Sequence, residues 1–209
     1  MSTVGEASNL SRLFRGLEAL YGADSGLDPH ALLVTLPQGD HDVRERVLLR
    51  EAEDGALELG LALDERTLRS LESADGAALL SDDGLGETLP VLEGLSHLVY
   101  LAEAARRERP VSGLELETQA EVDKLAMCLL HRWPDARAHF ERLVDRLYYR
   151  FELVAHPNLR ERYDTANRLA LAFSRRLEGA VKNARLEDLR RLLQRFWGAS
   201  MTDKLALAA

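Results

Sequence analysis

The sequence predicts a predominantly helical α+β protein, with a small antiparallel sheet and short helices packed against a C-terminal multi-helix layer. Two patterns predict it. Up to residue 87 the apolar residues come in short runs bounded by Pro, Gly and Asp, whereas beyond residue 88 they recur at helical spacing over long stretches. The chain reads as one domain, 1–209, made of a small α/β part (1–87) and a helical part (88–209). Its 209 residues, 46% hydrophobic and 30% charged, suffice for a substantial shared core.

Residues 9–21 place Leu10, Leu13, Phe14, Leu17 and Leu20 on one helical face, with Asn9 as N-cap and Gly22 as terminator. Ala31 to Leu36, between Pro29 and Pro37, is short and apolar enough for a strand. Val47–Glu51 and Ala56–Ala62 flank Asp54–Gly55 and predict a hairpin. Asp64 caps a short helix through Leu71, and 82–87 form an acidic, glycine-containing loop. Long helices follow at about 89–107, 113–132, 135–154, 158–179 and 186–197. Pro110, Pro134 and Pro157 lie in the breaks, and residues 199–209 read as a loosely held tail.

Composition sets the compartment and excludes several function classes. Cys128 is the single cysteine, so an intrachain disulfide is excluded. The first residues lack the charge and apolar run of a signal peptide, and no apolar run is long enough to span a bilayer. The expected location is therefore the cytoplasm, with no membrane partner. Phosphate-loop, dinucleotide, HExxH, GxSxG and CxxC motifs are absent, so no cofactor is strongly implied. The net charge of −8 is divided unevenly: residues 1–131 carry 11 Lys+Arg against 25 Asp+Glu, and residues 132–209 carry 16 against 10. These halves, −14 and +6, either neutralise one another or leave a basic surface for a polyanion, with Arg175, Arg176, Arg190 and Arg191 as its candidates. No recognition-helix or stacking pattern accompanies them, so nucleic acid is not the favoured partner.

Two stripes of polar residues at helical spacing are the candidate site. Glu93, His97 and Tyr100 align on one helix, and Glu117, Glu121, Lys124 and Cys128, with His131 alongside, align on the next. Facing one another, they would bring carboxylates and imidazole to a metal or proton-transfer site, although the Glu-x-x-His spacing of dimetal bundles is missing. The plainer reading is two solvated faces, with Glu121 and Lys124 as an i,i+3 pair. Cys128 beside Lys124 is a formal thiolate candidate and more simply an inert buried thiol. Gly39-Asp40-His41-Asp42 fits a metal-ligand set or an ordinary polar turn.

Asn167, Ser174, Gln119 and Asp123 fall among apolar positions and so require buried partners. For Asp123 the expected partner is an arginine, Arg162 or Arg168. With no catalytic motif, the leading expectation is a non-enzymatic interaction or adaptor protein, whose partner is another copy or another protein meeting Tyr100 and Tyr149. The alternatives are an enzyme with a carboxylate/histidine site, such as a metal-assisted hydrolase, and nucleic-acid binding through the Arg-rich C-terminal helices.

Overall fold

The computed structural model describes residues 7–34, 44–52, 57–150 and 157–209. The Asp54–Gly55 turn and the 39–42 segment lie outside these residues. The chain starts with helix α1 (Asn9–Tyr21), and three strands follow: β1 (Leu33–Val34), β2 (Glu45–Glu51) and β3 (Leu57–Leu63). Helix α2 (Glu65–Ser73) leads into the long α3 (Leu85–Arg106) and α4 (Gly113–His131). Next come α5 (Ala136–Val144), one π-helical turn over Asp145–Tyr149, and α6 (Pro157–Lys182). Helices α7 (Leu186–Trp197) and α8 (Met201–Ala208) complete the order. The α+β, predominantly helical class holds.

In the sheet, order β1-β3-β2, the hairpin pair β2/β3 is antiparallel, with Glu45 opposite Leu63 and Glu51 opposite Leu57. β1 adds in parallel to β3, pairing Leu33 with Leu61 and Val34 with Ala62, so the sheet is mixed rather than wholly antiparallel. The parallel pairing arises because β1 and β3 are joined through the intervening β2. The inner face, carrying Leu61, Leu63 and Glu45, lies on α3. Gly94 permits this approach, since a Cβ there would stand 2.5 Å from Leu61 Cδ1 and 2.8 Å from the Glu45 carboxyl. Gly94→Ala should therefore destabilise by about 1–3 kcal/mol, as overpacking does, measured by denaturant unfolding.

Local chemistry explains the helix ends. Ser8, rather than Asn9, caps α1 by accepting from the Ser11 N–H, while Asn9 Nδ2 donates to the carbonyls of Leu71 and Ala74 and ties α1 to α2. Ser112 caps α4 by accepting from Glu115 N–H. Pro90 inside α3 lacks the N–H that would bond to Gly86, and Arg44 Nη1 donates to that carbonyl at 3.1 Å instead. The expected loose tail is in fact α8, capped by Ser200 accepting from Asp203 N–H and anchored by a buried Lys204.

One core cluster gathers Leu10, Phe14, Leu61, Leu95, Leu125, Phe173 and Phe196 from both parts of the chain. Helices α3 and α4 run through it and are buried on nearly every side, which sets the environment of their polar stripes. Among the described residues no helix is long and apolar enough to cross a membrane.

Candidate functional site

Because α3 and α4 pack side by side inside the molecule, their stripes are not solvated faces. They divide into two polar clusters on opposite sides of the helix seam. Toward β2 and α6 project Glu93 and His97 of α3 with Glu117, Glu121 and Lys124 of α4. Away from them, toward α1, α7 and α8, project Ser96 and Tyr100 with Glu115, Gln119 and Asp123. The sequence placed Tyr100 with His97, but the two part company here: Tyr100 is 2% exposed and donates to Glu115 Oε1 at 2.5 Å, with Arg109 on the same oxygen.

In the first cluster Lys124 Nζ donates to Glu93 Oε2 at 2.6 Å and to Glu121 Oε1 at 2.8 Å. The i,i+3 pair expected from sequence is thus one arm of a bridge between helices. Burial opposes the charge on Lys124, but Glu121 and Glu93 outweigh it and raise its pKa. For Glu93, Lys124 and His97 overcome burial and lower the pKa, whereas burial keeps Glu121 raised. Side-chain exposures of 16% at Glu93 and 14% at Glu121 make this the edge where the cluster meets solvent.

Glu117 forms the inner half. Its Oε2 lies 3.5 Å from His97 Nε2, and its Oε1 accepts an ion pair from Arg162 of α6 at 3.1 Å. Burial would lower the pKa of His97, but Glu117 first, then Glu45 and Glu93, turn the shift upward. Glu45 of β2, which sequence reasoning missed because it stands on a strand, has its pKa pushed up to about 8 by burial and by the neighbouring Glu93. Glu45 therefore holds its proton to higher pH than an ordinary glutamate. The carboxyl groups of Glu93, Glu117 and Glu121 then face Lys124, Arg162 and the His97 imidazole, whose pKa they help to raise.

Three buried side-chain atoms of the described residues lack a well-formed hydrogen bond: Glu45 Oε1, Arg162 Nε and His97 Nε2, the last of which faces Glu117 Oε2 at 3.5 Å, at the long limit for a hydrogen bond. All belong to this cluster. Two flank Glu117, and Glu45 feels the charges of both His97 and Glu117. Arg162 Nε–H donates in every state, and Glu45 and His97 Nε2 donate when they carry a proton. No group of three or more His, Cys, Asp or Glu among the described residues is arranged to hold a metal ion. The Lys124 ammonium already occupies the space between Glu93 and Glu121.

The second cluster centres on Asp123, which is fully buried. It accepts from Tyr21 Oη at 2.5 Å, Ser96 Oγ at 2.6 Å and Gln119 Nε2 at 2.7 Å. Arg162 is not its partner, because α6 presents that guanidinium to Glu117 on the opposite side of the seam; Arg168 pairs with Asp164 on its own helix. Burial raises the Asp123 pKa to about 6 against the effect of its three donors. Asn167 and Ser174 are buried as expected: Asn167 Nδ2 reaches the Leu147 carbonyl at 3.5 Å and Ser174 Oγ donates to Leu171 O.

The remaining candidates disperse. Cys128 is fully buried and its thiol is pushed up to about 11 by burial, so it is a protonated core residue. Tyr149 is 62% exposed, alone of the two tyrosines expected at a surface. Arg175 and Arg176 are exposed on α6, whereas Arg190 and Arg191 pair with Glu187 and Asp188 on α7. The latter two line a surface cleft of about 370 Å³ with Ala19, Leu20, Glu187 and Gln194. The interleaved carboxylates reduce its positive field. No protein-family model, curated protein or solved structure matches this chain.

Proposed function

We propose that the cluster around Glu117 handles a small neutral molecule through an acceptor oxygen such as a carbonyl, with His97 exchanging a proton with it. The observation that carries this reading is that three buried side-chain atoms without a well-formed hydrogen bond, Glu45 Oε1, His97 Nε2 and Arg162 Nε, belong to the one cluster around Glu117. Such donors cost free energy unless something accepts from them, and an oxygen that accepted from them would be polarised as by a general acid. Glu117 orients His97, Arg162 holds Glu117 from the other side, and Glu45, when protonated, supplies a second acid.

The test is native mass spectrometry of protein equilibrated with a cell extract of small metabolites. Wild type should retain a stoichiometric neutral compound, lost in both His97→Ala and Glu117→Gln. Retention of nothing by wild type, or equal retention by the variants, would overturn the reading. The His97 imidazole should titrate above 6.5 in wild type and fall on Glu117→Gln, followed by NMR of the ring carbons. The sign is fixed by the raised pKa: the charged pair stabilises the fold below 6.5, and this contribution is lost as pH rises through the folded value.

A second reading, a non-enzymatic interaction protein, is supported by the outer sheet face. Val34 and Leu48 are 39% and 41% exposed there, on either side of Gly60, whose missing side chain leaves them adjacent. Under this reading sedimentation velocity at rising concentration shows self-association, or co-purification yields a defined protein partner, and Leu48→Glu abolishes either. A monomer that captures no partner would count against it.

A further inference from the structure

We propose that α8 is a pH-sensitive latch, a short helix that closes over a chamber walled by Tyr100, Gln119, Phe196 and Trp197 by inserting the Lys204 amine, and that loosens when the amine takes up a proton. The proposal concerns the second cluster and is independent of the ligand reading above.

Three observations support it. First, Lys204 is the most deeply buried side chain of α8, at 1% exposed, while Ala208 is buried, Leu207 packs partly buried against the core and Leu205 is 46% exposed. Second, the amine sits among neutral partners. Lys204 Nζ donates to Gln119 Oε1 at 2.5 Å and to the Phe196 carbonyl at 2.8 Å, and stands 4.3 Å and 5.1 Å from the ring centroids of Phe196 and Tyr100. It forms no ion pair among the described residues, unlike Lys124 and Lys182. Third, the walls are tied to one another by contacts that do not involve the lysine. Trp197 stacks on Tyr21 at 4.1 Å and meets Tyr100 edge-on at 4.6 Å, while Gln119 stays bonded to Asp123.

The charges acting on the amine come from known directions. Asp123 and Glu115 of α4 attract it and Arg109 repels it, while α6, against which α8 packs, sends no charged group that acts on it. Phenols face the chamber from Tyr21 and Tyr100, both held neutral by burial. Burial dominates and lowers Lys204 to about 7, against 10.5 for a lysine in water. A lysine freed by undocking returns toward the higher value, so protons favour the undocked state. Docking is therefore strongest at alkaline pH and weakens as pH falls toward 7. Below about 6 protonation of Asp123 removes an attracting charge and weakens it further.

Hydrogen exchange of the full chain, corrected for the intrinsic pH dependence of exchange, tests this. Protection of the 201–208 amides in wild type should rise about tenfold per pH unit between 7 and 9, with α6 and α7 unchanged over the same range. Lys204→Met, similar in length but without charge, should dock with protection independent of pH. Wild-type protection that does not vary with pH would overturn the latch, as would a methionine variant with the same pH dependence. If the methionine variant does not fold, the wild-type profile alone decides.

Discussion

Replacing Lys124 by methionine is expected to lower the thermal midpoint by about 10 °C at pH 7. Methionine matches the stem of the lysine but leaves Glu93 and Glu121 facing one another across the α3–α4 seam without their shared ammonium. Removing one partner of a buried ion pair costs about 3–5 kcal/mol. The partial exposure of both carboxylates puts this case at the lower end, and a chain of this length loses about 2–4 °C per kcal/mol. The triple variant Glu93→Gln, Glu121→Gln, Lys124→Met should recover most of the loss. Acid should also narrow the gap: wild type loses the benefit of the lowered Glu93 pKa as pH falls through the folded value, while the variant gains as its unpaired carboxylates protonate. Calorimetry at pH 4 and pH 7 separates this from a packing defect, which would leave equal losses at both.

The second large effect is expected at Asp123. Asp123→Ala strands the hydroxyls of Tyr21 and Ser96 and the amide of Gln119 inside the core and leaves a void where the carboxyl stood. Each stranded donor costs about 1–3 kcal/mol, so a combined loss of about 4 kcal/mol is expected after partial relaxation, measured by urea unfolding. Asp123→Asn should lose less, since one oxygen still accepts. Its pH profile provides a second check. The folded pKa is raised, so the group contributes stability below 3.8 that is lost as pH rises through about 6. The asparagine variant lacks that loss, and the gap to wild type should shrink above pH 6.

The elements legible in the sequence were those with one wet face or clear punctuation. Helix α1 matched residues 9–21 and α7 matched 186–197, because their leucines repeat against polar residues and Gly22 and Gly198 stand at their ends. The stripes of α3 and α4 were also legible as spacing, and Glu93, His97, Glu117 and Glu121 do meet. Their surroundings were not. Periodicity tells an apolar face from a polar one only where one of them meets water, and these helices are interior on almost all sides. Glu45 was hidden by its place on a strand, and Arg162 by depending on which side of the seam α6 approaches. Helix α8 escaped notice because an interior lysine looks like a surface residue, although Ser200 with Asp203 three positions later is an N-cap signal.

The division of polar side chains between the two faces of the seam also bears on how the helices find their alignment. Ser96 and His97 are neighbours in sequence, as are Asp123 and Lys124, yet each pair serves opposite chambers. Turning α4 by one residue, about 100° on its axis, would present an ammonium to the ring of hydroxyl and amide donors and leave the glutamates without their bridge. Leucine against leucine tolerates such a turn far better than these groups do. The buried charges therefore act as a rotational detent, fixing the setting of α4 in a helix pair whose apolar surface alone would accept several.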